Sequence, residues 1–261
     1  MKKKVFRAVA LAAALLCLIG GGTAYTIAMG VWKTGNAKIY SVKNTAPDAG
    51  SILQGKVVVF LGSSVTRGYA AFGESFTDYL AKEDGLVAVK EAVDGTTLCD
   101  TGKKSYTRRL ETLDRDMMID AFVCQLSTND AKKGLPLGEI SDSFDKESFD
   151  RSTVAGAIEY IAAYVWETWK CPVIFFTSTR YTSGTYGEMV ELLYKARDKW
   201  GLGIIDLWNS EQMNAVSDED RALYMADPIH PTRAGYKKWW TPQFRDYLRV
   251  FFTLRERSAS H

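Results

Sequence analysis

Short apolar runs recur along the chain between residues 56 and 208. Five of them stand out, at residues 56–61, 86–93, 121–126, 172–176 and 203–208. Several are apolar at consecutive positions, which is typical of strands that are covered on both faces, as in a parallel sheet. The pattern therefore predicts a parallel sheet rather than an antiparallel one.

Stretches with helical periodicity separate these runs. One apolar stripe comprises Val154, Ile158, Ile161, Val165 and Trp169, and a second comprises Met189, Leu192, Leu193, Ala196 and Trp200. A last helix is predicted over residues 231–254, with a break or kink at Pro242. Together with the strands, these helices predict a three-layer α/β/α domain, in which functional residues gather at the carboxyl ends of the strands.

An uncharged run over residues 8–32 follows a basic cluster at the N-terminus, formed by Lys2, Lys3, Lys4 and Arg7. As a helix the run would be roughly 37 Å long, enough to cross a bilayer. The basic cluster predicts that the N-terminus stays in the cytoplasm and that the rest of the chain is exported.

Two interpretations of this run remain open. Residues 8–19 would serve as a signal-peptide core, with small residues at 22–24 suited to cleavage. The apolar character continues to Met29, however, which favours an uncleaved signal-anchor. Residues 33–54 are polar and are expected to form a linker, followed by a domain over 55–254 and a C-terminal tail at 255–261.

Composition narrows the function classes. The chain has 261 residues, 46% of them apolar, which suits one substantial core, and its net charge of +2 gives no reason to expect nucleic acid as a partner. Cys99, Cys124 and Cys171 are too few and too widely spaced for a disulfide framework or a metal knuckle. Cys124 and Cys171 lie in or beside apolar runs and are expected to be buried thiols.

His230 is the only histidine apart from the C-terminal His261, which excludes a multi-histidine metal site. Asp227 lies three residues upstream in the sequence Ala-Asp-Pro-Ile-His-Pro. Its carboxylate can accept the imidazole Nδ1 proton and leave Nε2 free as a base. The same residues also suit a helix start capped by a carboxylate, and both interpretations stand at this point.

The first apolar run leads directly into the sequence Gly-Ser-Ser-Val-Thr-Arg-Gly at residues 62–68. Glycines at both ends permit an abrupt exit from a strand, which would expose the hydroxyl of Ser64 as a nucleophile. A Gly- and Ser-rich turn after a first strand can equally hold a phosphate, although this one lacks a Walker lysine and a G-x-G-x-x-G pattern.

Two further residues follow later runs: Gly95 after the second and Asn129 after the third. A glycine N–H and an asparagine amide can stabilise the oxyanion of a tetrahedral intermediate, although each is also an ordinary turn residue. Asp130 and Asp206 are expected to serve local hydrogen bonding. The loops around residues 132–150 and 180–187 are expected to shape a substrate pocket.

Taken in order, these motifs resemble the SGNH/GDSL hydrolase family across roughly residues 56–254. The resemblance places the nucleophile on Ser64, the second-block glycine on Gly95, the third-block asparagine on Asn129, and the D-x-x-H pair on Asp227 and His230. It also implies a flavodoxin-like five-stranded parallel sheet of order 2-1-3-4-5. Two departures occur: Ser63 replaces the usual aspartate of the first block, and Ser127 replaces the glycine of the third.

The resemblance implies a serine esterase with Ser64, Asp227 and His230 as its triad, and the N-terminal run predicts that this esterase is extracytoplasmic. The N–H groups of Ser64 and Gly95 and the Asn129 amide would form the oxyanion hole, and no metal or organic cofactor is expected. Small acyl groups on glycans are the first expectation for the substrate. The alternatives are a lipid or lysophospholipid esterase, and a non-catalytic module that binds a glycan or a phosphate ligand.

Overall fold

The computed structural model describes residues 32–259. The predicted membrane segment, residues 8–32, lies outside the described residues except for Trp32. Among residues 32–259, no helix is long and apolar enough to cross a membrane.

The centre of the domain is a parallel sheet in which the strands lie in the order β2-β1-β3-β4-β5. The strands are β1 Val57–Gly62, β2 Val87–Ala92, β3 Ala121–Gln125, β4 Val173–Phe176 and β5 Gly203–Ile205. All four neighbouring pairs are parallel. The predicted α/β class, the strand number and the order are confirmed.

Helices connect the strands. Along the described chain they are α1 Ser64–Arg67, α2 Phe76–Asp84, α3 Tyr106–Leu110, α4 Thr128–Lys133, α5 Val154–Trp169, α6 Gly184–Trp200, α7 Glu211–Asn214, α8 Asp218–Tyr224, α9 Arg233–Gly235 and α10 Thr241–Ala259. The stripes predicted from periodicity correspond to α5 and to the second part of α6.

The sheet separates two apolar layers. One layer joins alternate strand residues, such as Val59 and Phe122, to α5 and α6. The other joins the intervening residues, such as Phe60 and Val123, to α2 and α10. Because successive strand side chains point to opposite faces, consecutive apolar residues fill both layers at once. Cys124 and Cys171 are buried free thiols, as predicted, and Cys99 is a buried free thiol as well.

The last strand is shorter than its apolar run. The run was expected to continue to residue 208, but β5 ends at Ile205. The carboxylate of Asp206 accepts the N–H groups of Trp208 and Asn209, both at 3.0 Å, which turns the chain out of the sheet. A polar residue that captures its own downstream N–H groups thus ends the strand.

Pro242 does not end the final helix. A π-helical turn, Tyr236–Trp240, connects α9 to α10, and Pro242 lies in the first turn of α10. A proline lacks an N–H and clashes with the carbonyl four residues earlier, and a π turn just before it changes the local hydrogen-bond spacing. The predicted irregularity is therefore a change of helical geometry within a continuous helical segment.

The segment predicted to be a linker, residues 33–54, is packed on the domain. The Asn36 amide donates to the carbonyl of Ala70 at 2.7 Å, and the Ser41 hydroxyl donates to Glu74 at 2.8 Å. Leu53 is completely buried. The linker prediction is therefore corrected, because this segment is part of the folded domain. The residues that attach it are isolated in a polar background, so the composition of the segment does not reveal them.

Candidate active site

Ser64 lies where β1 runs into α1, at the carboxyl edge of the sheet. A side chain at Gly62 would collide with Thr66, since a Cβ there would lie 1.9 Å from the threonine Oγ1. This close approach allows the chain to turn sharply after the strand. Ser64 becomes the first residue of a short helix, and its side chain is largely buried, with 7% of the residue exposed.

Ser64, His230 and Asp227 form a continuous chain of contacts. The Ser64 Oγ lies 2.7 Å from the His230 Nε2, and the His230 Nδ1 lies 2.7 Å from the Asp227 Oδ2. A carboxylate only accepts hydrogen bonds, so the proton between the last two atoms belongs on Nδ1. Nε2 is then an acceptor for the Ser64 hydroxyl.

The carboxylate of Asp227 is oriented by its own loop. Its Oδ1 accepts the N–H groups of Ile229 and His230, both at 2.8 Å, which leaves Oδ2 for the imidazole. Burial raises the pKa of Asp227, but the hydrogen bond and charge of His230 and these N–H donors outweigh it. The net pKa of the carboxyl is below its ordinary value, so it is ionised near neutral pH.

The loop that carries His230 is closed by backbone contacts. The Ala226 N–H donates to the His230 carbonyl at 2.9 Å, and Met225 and Pro231 form an isolated antiparallel bridge. The ring of Tyr69 lies beside the imidazole, with centroids 5.5 Å apart. These contacts hold the imidazole where it meets the end of β1.

Gly95 lies in the loop after β2, and Asn129 lies in the first turn of α4. Gly95 has a φ of +71°, a conformation that favours glycine. The Asn129 amide donates to the carbonyl of Thr96, the next residue after Gly95, at 2.9 Å. An amide nitrogen carries two hydrogens, so this contact fixes the Asn129 side chain and leaves one donor for another acceptor.

Ser63 and Ser127, the two residues that depart from the family motif, both make local hydrogen bonds. The Ser63 N–H donates to the Gln125 side-chain oxygen at 3.0 Å. Ser127 is the N-cap residue of α4, and its hydroxyl accepts the Asn129 N–H at 3.2 Å. Both serines therefore help to shape the starts of the helices that carry Ser64 and Asn129.

Sequence reasoning missed Gln125 at the end of β3. Its side-chain oxygen also accepts the Thr66 hydroxyl at 2.8 Å, so one acceptor serves both sides of Ser64. Only 2% of Gln125 is exposed. A lone polar residue ending an apolar strand is a signal that can reveal such a brace.

Sequence reasoning also missed Arg109 in α3. One Nη donates to the carbonyl of Gly62 at 2.7 Å and to the hydroxyl of Thr96 at 3.2 Å, and the other donates to Glu91. Arg109 is buried and thus joins the end of β1 to the loop of Gly95. Its sequence context offers no signal, because the arginine lies in a short helix remote from every motif.

Asp130 and Asp206 lie in local networks, as expected. Asp130 accepts the N–H groups of Leu98 and Cys99 at 2.8 and 2.9 Å. Asp206 accepts hydroxyls from Thr177 and Tyr194 besides its own turn. Neither carboxylate has His230 among its hydrogen-bond partners in the described structure.

The two loops that were expected to shape the substrate pocket lie at different distances from the candidate triad. In the first, Phe144 packs on Trp200 and lines a cavity with Pro172, next to the start of β4. The start of β4 lies at the amino ends of the strands, whereas Ser64 lies at their carboxyl ends. The part of the loop around Phe144 therefore lies away from the candidate site. The loop that begins at Arg180 lines a cavity beside Asp227.

The parallel sheet of order 2-1-3-4-5 and the contact from Ser64 through His230 to Asp227 are those of a hydrolase domain of the SGNH/GDSL class. The model of the GDSL-like lipase/acylhydrolase family matches residues 60–238. The chain belongs to this family, which associates it with ester hydrolysis.

Solved structures share the fold. One from Lactobacillus plantarum is 18% identical, with a TM-score of 0.61 over 77% of this chain and 97% of that one. A member of the lipolytic protein G-D-S-L family from Veillonella parvula is 16% identical, with a TM-score of 0.51 over 72% and 94%. A carbohydrate esterase, whose active site displays divergent catalytic and non-catalytic binding functions, is 14% identical, with a TM-score of 0.52 over 75% and 69%. No curated protein matches the chain significantly.

Proposed function

We propose that this protein is a serine esterase that hydrolyses carboxylic esters through a covalent acyl-enzyme on Ser64. The observation that carries the proposal is the unbroken contact from Ser64 through His230 to Asp227, with both distances at 2.7 Å. Family membership supports the reaction class.

The proposed reaction has two halves. In the first, His230 Nε2 takes the Ser64 proton while Oγ attacks the ester carbonyl; the alcohol leaves with that proton. In the second, His230 takes a proton from water, whose oxygen attacks the acyl-enzyme and releases the acid and the serine hydroxyl. Asp227 stays ionised and stabilises the imidazolium in both halves.

The oxyanion of each tetrahedral intermediate is proposed to lie among three donors: the N–H groups of Ser64 and Gly95 and the free hydrogen of the Asn129 amide. The Ser64 N–H is available because the first residues of a helix have no intrahelical acceptor. Asn129 needs little reorganisation, since the carbonyl of Thr96 already fixes it at 2.9 Å. Preorganised donors of this kind stabilise developing charge well.

Small acyl groups on glycans remain the proposed substrate. Similarity to a carbohydrate esterase agrees with this choice. Activity against a series of acyl chain lengths separates it from a lipid esterase: a small-acyl esterase prefers acetyl over octanoyl esters, and a lipid esterase shows the reverse order. A non-catalytic binding module would hydrolyse neither.

We also propose an extracytoplasmic location with membrane attachment through residues 8–32. The support is the basic cluster followed by an uncharged run of bilayer-spanning length. The attached domain would begin immediately after that run, since residues from Thr34 onward have defined helical turns.

The test is hydrolysis by the purified full-length protein in detergent, with 4-nitrophenyl acetate, butyrate and octanoate as substrates. Ser64→Ala should lower kcat by at least about 10³-fold, as removal of a triad nucleophile does. Ser258→Ala is the matched control, because this exposed serine lies in the last turns of α10, where its hydroxyl donates to the carbonyl of Leu254 at 3.0 Å. Equal activity in wild type and Ser64→Ala would refute the proposal.

A further inference from the structure

A cavity of about 520 Å³ lies beside the candidate triad and is lined in part by the loop that carries Asp227. Three separate parts of the chain build it: Lys33 from the N-terminal segment, Arg180 and Tyr181 from the loop after β4, and Arg221 from α8. Asp227 itself forms part of the wall. The cavity is therefore adjacent to the candidate triad but separate from the Ser64 hydroxyl.

The cations in this wall are not neutralised by ion pairs. Among residues 32–259, the side chains of Lys33 and Arg221 have no salt bridge or hydrogen bond. Arg180 is held in place, since its Nε donates to the carbonyl of Trp208 at 2.9 Å and its N–H donates to Asn214 at 2.8 Å. Both contacts leave the terminal Nη groups of Arg180 available.

The acidic residues of the wall offset these charges only in part. Asp218 is one and Asp227 the other, against three basic side chains. The Asp227 carboxylate is already engaged by His230 and by two backbone N–H groups. The unmatched positive charge suits an anionic ligand, and the planar fork of an arginine matches a carboxylate or phosphate.

The position of the cavity indicates which part of a substrate would reach it. The alcohol of the ester takes its proton from His230 Nε2, whereas the oxyanion is proposed to face Gly95 and Asn129. The alcohol portion therefore lies on the histidine side, and beyond the imidazole comes Asp227, which borders the cavity. A group carried on the alcohol, beyond the ester oxygen, would therefore be the part of the substrate that can meet the three cations.

We infer that this cavity is a subsite for an anionic group on the alcohol portion of the ester, so that the substrate is an acylated acidic sugar or glycan. The inference rests on the proposed function and deepens it. The shared chemistry is a carboxylate or a phosphate on the sugar, and Arg180 and Arg221 are the residues that recognise it.

The test measures binding to the full-length Ser64→Ala protein, which cannot turn over its ligand. Calorimetry compares acetylated glucuronate and acetylated glucose 6-phosphate with acetylated glucose as the uncharged reference. We expect the anionic sugar to bind more tightly by roughly 10- to 100-fold, the range for a hydrogen bond to a charged group. The two anionic ligands distinguish a carboxylate from a phosphate subsite.

Arginine variants in the same background identify the residues responsible. Arg180→Gln and Arg221→Gln should each lower the ratio of anionic to neutral affinity by about 10-fold, and the double variant should bring it close to one. Arg257→Gln is the matched control: this exposed arginine lies next to Glu256, which pairs with Lys56 at the opposite edge of the sheet. Its ratio should not change.

Added salt gives an independent check, since screening weakens exposed charge interactions. The ratio of anionic to neutral affinity should decrease as NaCl is raised from about 50 mM to about 500 mM. Equal affinity for anionic and neutral sugars, or an unchanged ratio in the double variant, would overturn the inference. Because binding needs no turnover, this result is separate from the Ser64→Ala hydrolysis test, whose failure would overturn the esterase proposal instead.

Discussion

The two carboxylate oxygens of Asp227 have different tasks. Oδ1 accepts two backbone N–H groups from its own loop, and Oδ2 faces the His230 Nδ1. The side chain is partly exposed, at 45%, so its role depends on orientation more than on burial. An amide at this position would present a different set of donors and acceptors and disturb both contacts.

Asp227→Asn should therefore lower kcat by about 10⁴-fold, because it removes the charge that stabilises the imidazolium and disturbs its tautomer. Asp206→Asn is the control, since Asp206 bonds to Thr177 and Tyr194 and not to the imidazole. The measurement is the rate of 4-nitrophenyl acetate hydrolysis by each variant and by the wild type. Activity of Asp227→Asn comparable to wild type would reopen the choice of triad acid.

Asn129→Ala should lower kcat by about 10²–10³-fold, the loss found when one oxyanion-hole donor is removed. The amide also bonds to the carbonyl of Thr96, so the thermal midpoint is measured alongside. A drop in kcat with a nearly unchanged midpoint assigns the loss to transition-state stabilisation. Unchanged turnover would remove Asn129 from the mechanism.

At the residue scale, chain order and motif spacing predicted the candidate catalytic residues, because each of them follows a strand or precedes the last helix. The resemblance to a family was needed to choose between a nucleophile and a phosphate cradle at Ser64. Gln125 could have been found as a lone polar residue at the end of an apolar strand, whereas Arg109 was out of reach, since it acts through contacts between distant parts of the chain. Such contacts leave no periodicity in the sequence.

At the element scale, Asp206 connects the end of β5 to α6 and to the loop after β4. Its carboxylate accepts Thr177 at 2.9 Å and Tyr194 at 2.6 Å, together with its own turn N–H groups. Burial raises its pKa, but the hydrogen bonds from Tyr194, Asn209 and Thr177 outweigh it, so the net pKa is lowered. The ionised form is therefore the one that stabilises the fold.

This shift sets a pH dependence. A carboxyl whose pKa is lower in the folded state contributes stability above its unfolded pKa of about 3.9, and this contribution is lost as the pH falls through the folded value. Asp206→Asn should thus lower the free energy of unfolding by about 1–3 kcal/mol at pH 7. The difference from wild type in urea unfolding should shrink below about pH 4. A difference that is equal at both pH values would contradict this role.

The elements themselves were predicted to different degrees. Strands β1 to β4 and helix α5 match their apolar patterns within two residues at each end. Strands β1, β3 and β4 are buried on both faces, and the first three turns of α5 are buried on all sides. The segment 33–54 was misjudged as a linker because its contacts come from isolated residues, such as Asn36 and Leu53, in a polar background. Strand order depends on long-range packing and came only from the resemblance.

At the scale of the whole molecule, the apolar run ends beside the candidate site. Trp32 closes the run, and Lys33 lines the cavity that contains Asp227. If residues 8–32 anchor the chain, the site lies close to the membrane surface, and acidic glycans near that surface are within reach.

The anchor predicts that full-length protein sediments with membranes and stays there after an alkaline carbonate wash. Replacing two apolar residues of the run by lysine, as in Leu15→Lys with Ile19→Lys, should release it, because each charge in a bilayer centre costs about 3 kcal/mol or more. Lys82→Ala, an exposed change in helix α2, is the control and should leave sedimentation unaltered. A shortened, soluble chain starting near residue 25 would support signal cleavage instead.

The most direct test of the central claim is labelling with a fluorophosphonate, followed by intact mass and peptide mapping. This reagent bonds covalently to a serine that an adjacent base activates. The account predicts one label per chain, on Ser64, and loss of labelling in His230→Gln. An unlabelled protein, or a label carried by another residue, would contradict it.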